Sequence, residues 1–101
     1  MRLAAEKIAR FTAGKSIDQY RDDDQLRWSV ERGFEIVGEA LAQLRKIDPT
    51  LAERITDWQA IIGFRNVLIH GYSAIDHKKT WDIVQSELPV LRNELNQLMK
   101  K

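Results

Sequence analysis

Apolar residues recur three and four positions apart along almost the whole chain and hardly ever alternate, which predicts helices packed through one face. Leu3, Ala4, Ile8 and Phe11 make the first stripe, which ends at Gly14, a residue suited to the left-handed turn that closes a helix. Ser16 with Gln19 three residues later forms a capping-box pair opening a short turn. The next helix is the longest, with Leu26, Val30, Phe34, Val37, Leu41 and Leu44 as its main stripe. Asp22, Asp23 and Asp24 stand at its start and Arg45 and Lys46 at its end, the order a helix dipole favours. Trp28, Ile36 and Ala40 fall off the stripe, so this helix should pack on more than one side. Gly33 and Gly38 lie within it, where glycine costs about 1 kcal/mol relative to alanine. Close approach by a neighbouring helix or subunit would explain that cost.

Asp48-Pro49 opens a short helical piece, and Thr56 with Gln59 repeats the capping-box pattern. The third helix, from about Asp57 to His70, is apolar nearly all round and is expected in the middle of a bundle. It stops at Gly71. The last segment runs from Asp76 through Trp81, Ile83 and Val84, and Pro89 is expected to break or kink it. Val90, Leu91, Leu95, Leu98 and Met99 carry its stripe to the end. The pattern predicts an all-α fold, one domain spanning 1–101, built as a small helical bundle.

Composition narrows the function classes. At 101 residues and 44% apolar content the chain can form a core, but so small a domain buries a modest share of its surface and favours self-association. The absence of cysteine excludes disulfides, thiolate metal sites and cysteine nucleophiles. No apolar run approaches the roughly 18 residues needed to span a membrane, and no signal-peptide pattern opens the chain, so a cytoplasmic location is expected. Charged residues make up 31% yet nearly cancel to +1. A nucleic-acid partner must therefore rest on a local site and not on a basic surface at large.

One polar residue stands out of place. Arg65 has Ile61 one turn before it and Ile69 one turn after, flanked by Ile62 and Leu68. An arginine on an apolar stripe must pair or line a cleft, and no acidic residue lies between Asp57 and Asp76. Its partner must be non-local. His70 follows five residues later, roughly 140° away around an ideal helix, so fraying at Gly71 or a second copy of the site would be needed to bring the two together. Arginine is a natural fork for a phosphate oxygen and histidine a natural acid/base, which together suggest phosphodiester chemistry without a metal or cofactor. On chemistry alone, a salt bridge from Arg65 and a capping His70 outweigh that reading.

Other candidates have plainer explanations. His77, beside Lys78 and Lys79, is expected on the solvated surface, and two histidines seven apart without an HExxH pattern do not suggest a metal site. Trp28, Trp58 and Trp81 could stack on bases, but aromatics at helical spacing are usually core. The run Asp22–Asp24 is explained by the helix N-terminus.

The segment Arg65-Asn66-Val67-Leu68-Ile69-His70-Gly71-Tyr72 resembles the R-x4-H-x-Y signature of HepT toxins in the HEPN superfamily. Glu35-Ile36-Val37-Gly38-Glu39-Ala40 is similar to that family's I-G-E-A segment, Trp58 through Gly63 to its W-x-x-I-x-G stretch, and Leu88-Pro89 with Leu91 to its L-P-x-L. The resemblance runs over roughly 3–99, although the family's first helix commonly begins several residues before the position of Met1. It implies a HEPN-type bundle that forms a homodimer, with a cleft between two copies of the Arg65–His70 segment. It also implies a metal-independent endoribonuclease toxin acting on RNA, with Arg65, His70 and Asn66 catalytic. Such a toxin is held in check by an MNT-type nucleotidyltransferase antitoxin that adds AMP to Tyr72. A non-catalytic module that binds the nucleotidyltransferase is the alternative.

Overall fold

Local start and stop chemistry sets the boundaries of six helices in the computed structural model, which describes residues 1–71 and 75–98. They are α1 (Arg2–Thr12), α2 (Ile17–Asp22), α3 (Asp24–Ile47), α4 (Pro49–Ala52), α5 (Trp58–His70) and α6 (His77–Leu98). The fold is all-α, with no strand among the described residues. Gly14 takes the expected left-handed backbone, at φ +73°. The Ser16 hydroxyl accepts from the Gln19 amide at 3.2 Å, and the Gln19 side chain accepts from the Ser16 amide at 2.8 Å, so the capping box closes α2 from both sides. Asp23 separates α2 from α3 and caps the latter, its carboxylate accepting from the Leu26 amide at 3.0 Å. Asp48 does the same for α4 ahead of Pro49.

The axis of the domain is α3. It meets α1 on one flank and α5 on another, while α6 packs back across α1 and α2. Ala5, Ile8, Val30, Val37 and Leu41 are fully buried along the α1–α3 contact and the core beyond it, which Tyr20, Ile55 and Leu68 extend, with Leu88, Leu91 and Leu95 of α6 closing it. Burying a side chain of this kind contributes about 1.5–3 kcal/mol, so this cluster is the main source of cohesion. No described helix is long and apolar enough to cross a membrane.

Several expectations fail, each for a physical reason. The all-round apolar α5 is not central: only Leu68 is fully buried, while Val67 and Ile69 are 38% and 44% exposed. Docked chiefly on α3, the helix leaves its other apolar side uncovered in the isolated chain. Pro89 does not break α6, which runs continuously from His77 to Leu98. Buried Leu88 and Leu91 hold the turns on either side to the core, and the helical bond that proline cannot make falls at Gln85, on the exposed side. Thr56 does not cap α5. Its amide and hydroxyl instead donate to the two carboxylate oxygens of Glu94, at 3.0 and 2.7 Å, tying the start of α5 to α6. Asp57 occupies the cap position in left-handed backbone without a side-chain bond. His77 is not a solvated surface residue: its ring meets Tyr20 edge-on at 6.3 Å, with Nδ1 buried and unpartnered. Burial pushes its pKa down, and the neighbouring charge of Arg27 pushes the same way.

Candidate active site

The site is built on the pairing of α3 with α5. The two run antiparallel: the Arg45 guanidinium lies 4.3 Å over the Trp58 ring near one end, and Phe34 meets Phe64 at 5.4 Å further along. Between these contacts the backbones come close at Gly38. A Cβ placed there would lie 2.3 Å from the Arg65 Cβ and 2.8 Å from its Cγ. The missing side chain of Gly38 is thus the notch across which Arg65 passes, which accounts for a glycine in the middle of a helix.

Beyond the notch the arginine finds the non-local partner its position demanded. The guanidinium Nη2 donates to the Glu39 carboxylate, next to the glycine, and Nη1 donates to the Asn66 side-chain oxygen at 2.7 Å. The Arg65 side chain is 22% exposed and its Nε is buried without a partner, so this charge is held at the edge of the core with its fork turned outward. The hydrogen bond from Arg65, and then its charge, hold the Glu39 carboxyl below the usual carboxylate range. Gln43, whose amide donates to Glu39 at 3.3 Å, acts in the same direction. Because the Asn66 oxygen accepts from the arginine, its amide N–H groups remain free to donate outward.

Sequence reasoning missed Glu39, although two signals pointed to it. Arg65 needed an acid from elsewhere in the chain, and a glutamate stood beside a helical glycine where another helix had to approach. His70 occupies the last turn of α5, exposed and without a hydrogen bond or ion pair among the described residues. Since α5 stays helical through His70, there is no fraying to swing it toward Arg65, and one chain does not bring the two together. Tyr72 lies outside the described residues. Among those residues no group of three or more His, Asp or Glu side chains is arranged to hold a metal ion.

Residues 1–98 match the family described as ribonuclease HepT-like. The chain belongs to that family. Among its relatives, a Methanocaldococcus jannaschii protein named provisionally as an RNase is 31% identical over 94 residues, 91% of this chain and 84% of the relative. A Thermococcus cleftensis protein named as a probable ribonuclease HepT is 29% identical, over 96% of this chain and 87% of its own length. A Caldanaerobacter subterraneus protein, also named provisionally as an RNase, is 28% identical over 87% of this chain and 78% of its own. No solved structure gives a significant match. The HepT-like match thus spans α1 to α6, including the Gly38 notch and the Arg65–His70 helix.

Proposed function

We propose that this protein is a metal-independent endoribonuclease toxin of the HEPN/MNT (type VII) kind, acting at a cleft between two copies of the chain. The observation that carries the reading is the placement of Arg65: a guanidinium held at the surface by Glu39 and Asn66 over the Gly38 notch, one helical segment from an exposed His70, in a HepT-like chain. His70 takes the proton from a ribose 2′-OH, whose oxygen attacks phosphorus as the P–O5′ bond breaks. Arg65 neutralises charge on the phosphate oxygens through N–H groups not engaged by Glu39 and Asn66, and the Asn66 amide donates to a phosphate or ribose oxygen. His70 of a second copy, as imidazolium, returns a proton to the leaving 5′-oxygen. The uncovered apolar side of α5, with Val67 and Ile69, supports a homodimer that joins the two histidines across one cleft. AMP joined to Tyr72 by a cognate nucleotidyltransferase, two residues past His70, would add negative charge and bulk where RNA must enter. The setting for this chemistry is the cytoplasm.

The test is cleavage of RNA in EDTA, leaving a 2′,3′-cyclic phosphate, with His70→Ala and Arg65→Ala folded and about 10²–10⁴-fold slower. Undiminished cleavage by His70→Ala refutes the assignment, and loss of wild-type activity in EDTA refutes the metal-free route. Intact mass after incubation with the nucleotidyltransferase and ATP should rise by one or more AMP groups in wild type and not in Tyr72→Phe. Equal addition to both removes Tyr72 as acceptor. The ion pair with Glu39 favours a second reading, in which Arg65 is structural and the chain is a non-catalytic partner of the nucleotidyltransferase. Absence of cleavage by a dimeric wild-type protein, with complex formation intact, would select it.

A further inference from the structure

The proposed chemistry uses the Glu39 stretch of α3 and leaves the Trp28 end unexplained. Trp28 was expected in the core, yet it is 66% exposed, and Ile36 two turns on is 40% exposed. Trp28 stands on the rim of an open trough of about 660 Å³ between α1 and α3, floored by Ala4, Ile8 and Gly33. Lys7 and Arg32 face the trough from its two helices, and Arg10 lies 5.4 Å over the ring of Phe11, a second aromatic in its wall. Asp24 is the one acid lining it. Arg32 does pair with Glu35 at 3.1 Å, but its side chain is 70% exposed, so the pair is an easily exchanged surface contact. The exposed Trp28 ring with the cations Lys7 and Arg32 in an open groove matches what single-stranded nucleic acid requires: stacking on bases, with charge along the backbone.

The trough is also in line with the candidate active site. Trp28 and Glu39 are eleven residues apart on α3, which places them within about 20° on one face and about 16 Å apart along the axis. Arg65 is anchored on Glu39, and because α5 runs antiparallel to α3, the chain from Arg65 to His70 leads back toward the Trp28 end. A strand with a phosphate at Arg65 reaches Trp28 after about five nucleotides at a stacked spacing of about 3.4 Å.

We propose that Trp28 and the trough lined by Lys7 and Arg32 form a base-stacking subsite that holds single-stranded RNA a few nucleotides from Arg65. The proposal takes its ligand class from the ribonuclease reading, but its test reads binding and not cleavage. Fluorescence anisotropy with labelled oligouridylate and oligoadenylate octamers, at low salt in EDTA, compares wild type with variants. To exclude turnover, the Trp28 substitutions are also made in a His70→Ala background. Trp28→Leu should bind the octamers about 10- to 100-fold more weakly, Trp28→Phe should stay within a few-fold of wild type, and the dinucleotides should bind all three alike. Lys7→Ala and Arg32→Ala should each flatten the salt dependence by about one charge. Octamer binding unaffected by Trp28→Leu overturns the proposal, as does equal weakening for octamer and dinucleotide. A change of molar mass for Trp28→Leu in light scattering would also overturn it, because the face would then be a protein interface. If Trp28-dependent binding is found without any RNA cleavage by wild type, the subsite stands and the ribonuclease reading falls.

Discussion

Gly38→Ala puts the α3–α5 notch to a quantitative test. The new Cβ would lie 2.3 Å from the Arg65 Cβ and 2.8 Å from its Cγ, and 3.4 Å from the Ile61 carbonyl oxygen. The nearest atom is at the root of the Arg65 side chain, so no rotamer change relieves the clash and α5 must withdraw by about 1 Å or more. Overpacking of this kind costs about 1–3 kcal/mol. Alanine returns about 1 kcal/mol through helix propensity. The net expectation is a loss of about 1 kcal/mol, or about 4–8 °C in Tm for a domain of this size. Gly63 is the internal control: it lies within α5 with nothing within 4 Å of its would-be Cβ, so Gly63→Ala should gain about 0.5–1 kcal/mol. Circular-dichroism melts and urea titrations of the three proteins measure the spread. Because withdrawal of α5 also pulls Arg65 off Glu39, RNA cleavage by Gly38→Ala should fall even at temperatures where the variant is fully folded. A Gly38→Ala protein that melts at or above wild type refutes the close approach and the role assigned to it.

Three further outcomes follow from side chains described above. The Glu39 carboxyl is held low by Arg65, so its pairing stabilises the fold at pH values above the ordinary carboxylate range and is lost as pH falls through its lowered folded value. Melts of wild type and Glu39→Gln should therefore differ at pH 7 and draw together as the pH is lowered below the ordinary carboxylate range, and a gap that stays constant through acidification would disprove the linkage. His77 is pushed down by burial first and by Arg27 second, so below about pH 6.5 the unfolded chain takes up a proton that the folded chain refuses, and stability falls with acidification. His77→Gln should flatten this part of the Tm-versus-pH curve, and an unchanged slope would place the titration elsewhere. Thr56→Val removes the hydroxyl's bond to Glu94 while the backbone amide keeps its own, and should cost about 1 kcal/mol, read as a lower urea midpoint, whereas an unchanged midpoint would mean that the hydroxyl bond contributes nothing.

The helices, and most of their ends, were legible because the signals are local: Ser16 with Gln19, Asp48 before Pro49, and Gly14 act within a few residues of their own position. What escaped depends on atoms far away in the chain. Thr56 carries a cap pattern, but the Glu94 carboxylate, 38 residues on, offers its amide and hydroxyl two acceptors at once. His77 sits beside two lysines in sequence and against Tyr20 in space. For α5, apolarity all round measured what the helix would bury if it were covered on every side, not what the single chain covers. At the candidate site, the isolated arginine was readable as a demand for a partner, and Gly38 as a point of approach. Joining them through Glu39 required the register between two helices, which no residue spacing contains.

Contact between the first and last helices gives the domain an uneven kinetic profile. Helix α3 meets α2, α4 and α5 over short stretches of chain, whereas α1 meets α6 from opposite ends, clasped by Arg92 donating to Glu6 at 2.7 and 3.2 Å across 86 residues. Closing so long a loop favours forming the α3-centred contacts first and this seam last. Interactions made after the folding transition state act on the rate of unfolding and leave the rate of folding nearly untouched. The seam between α1 and α6 is therefore where the native state first comes open. Arg92→Met should shorten its lifetime and expose α1 to proteases while the chain refolds as fast as before.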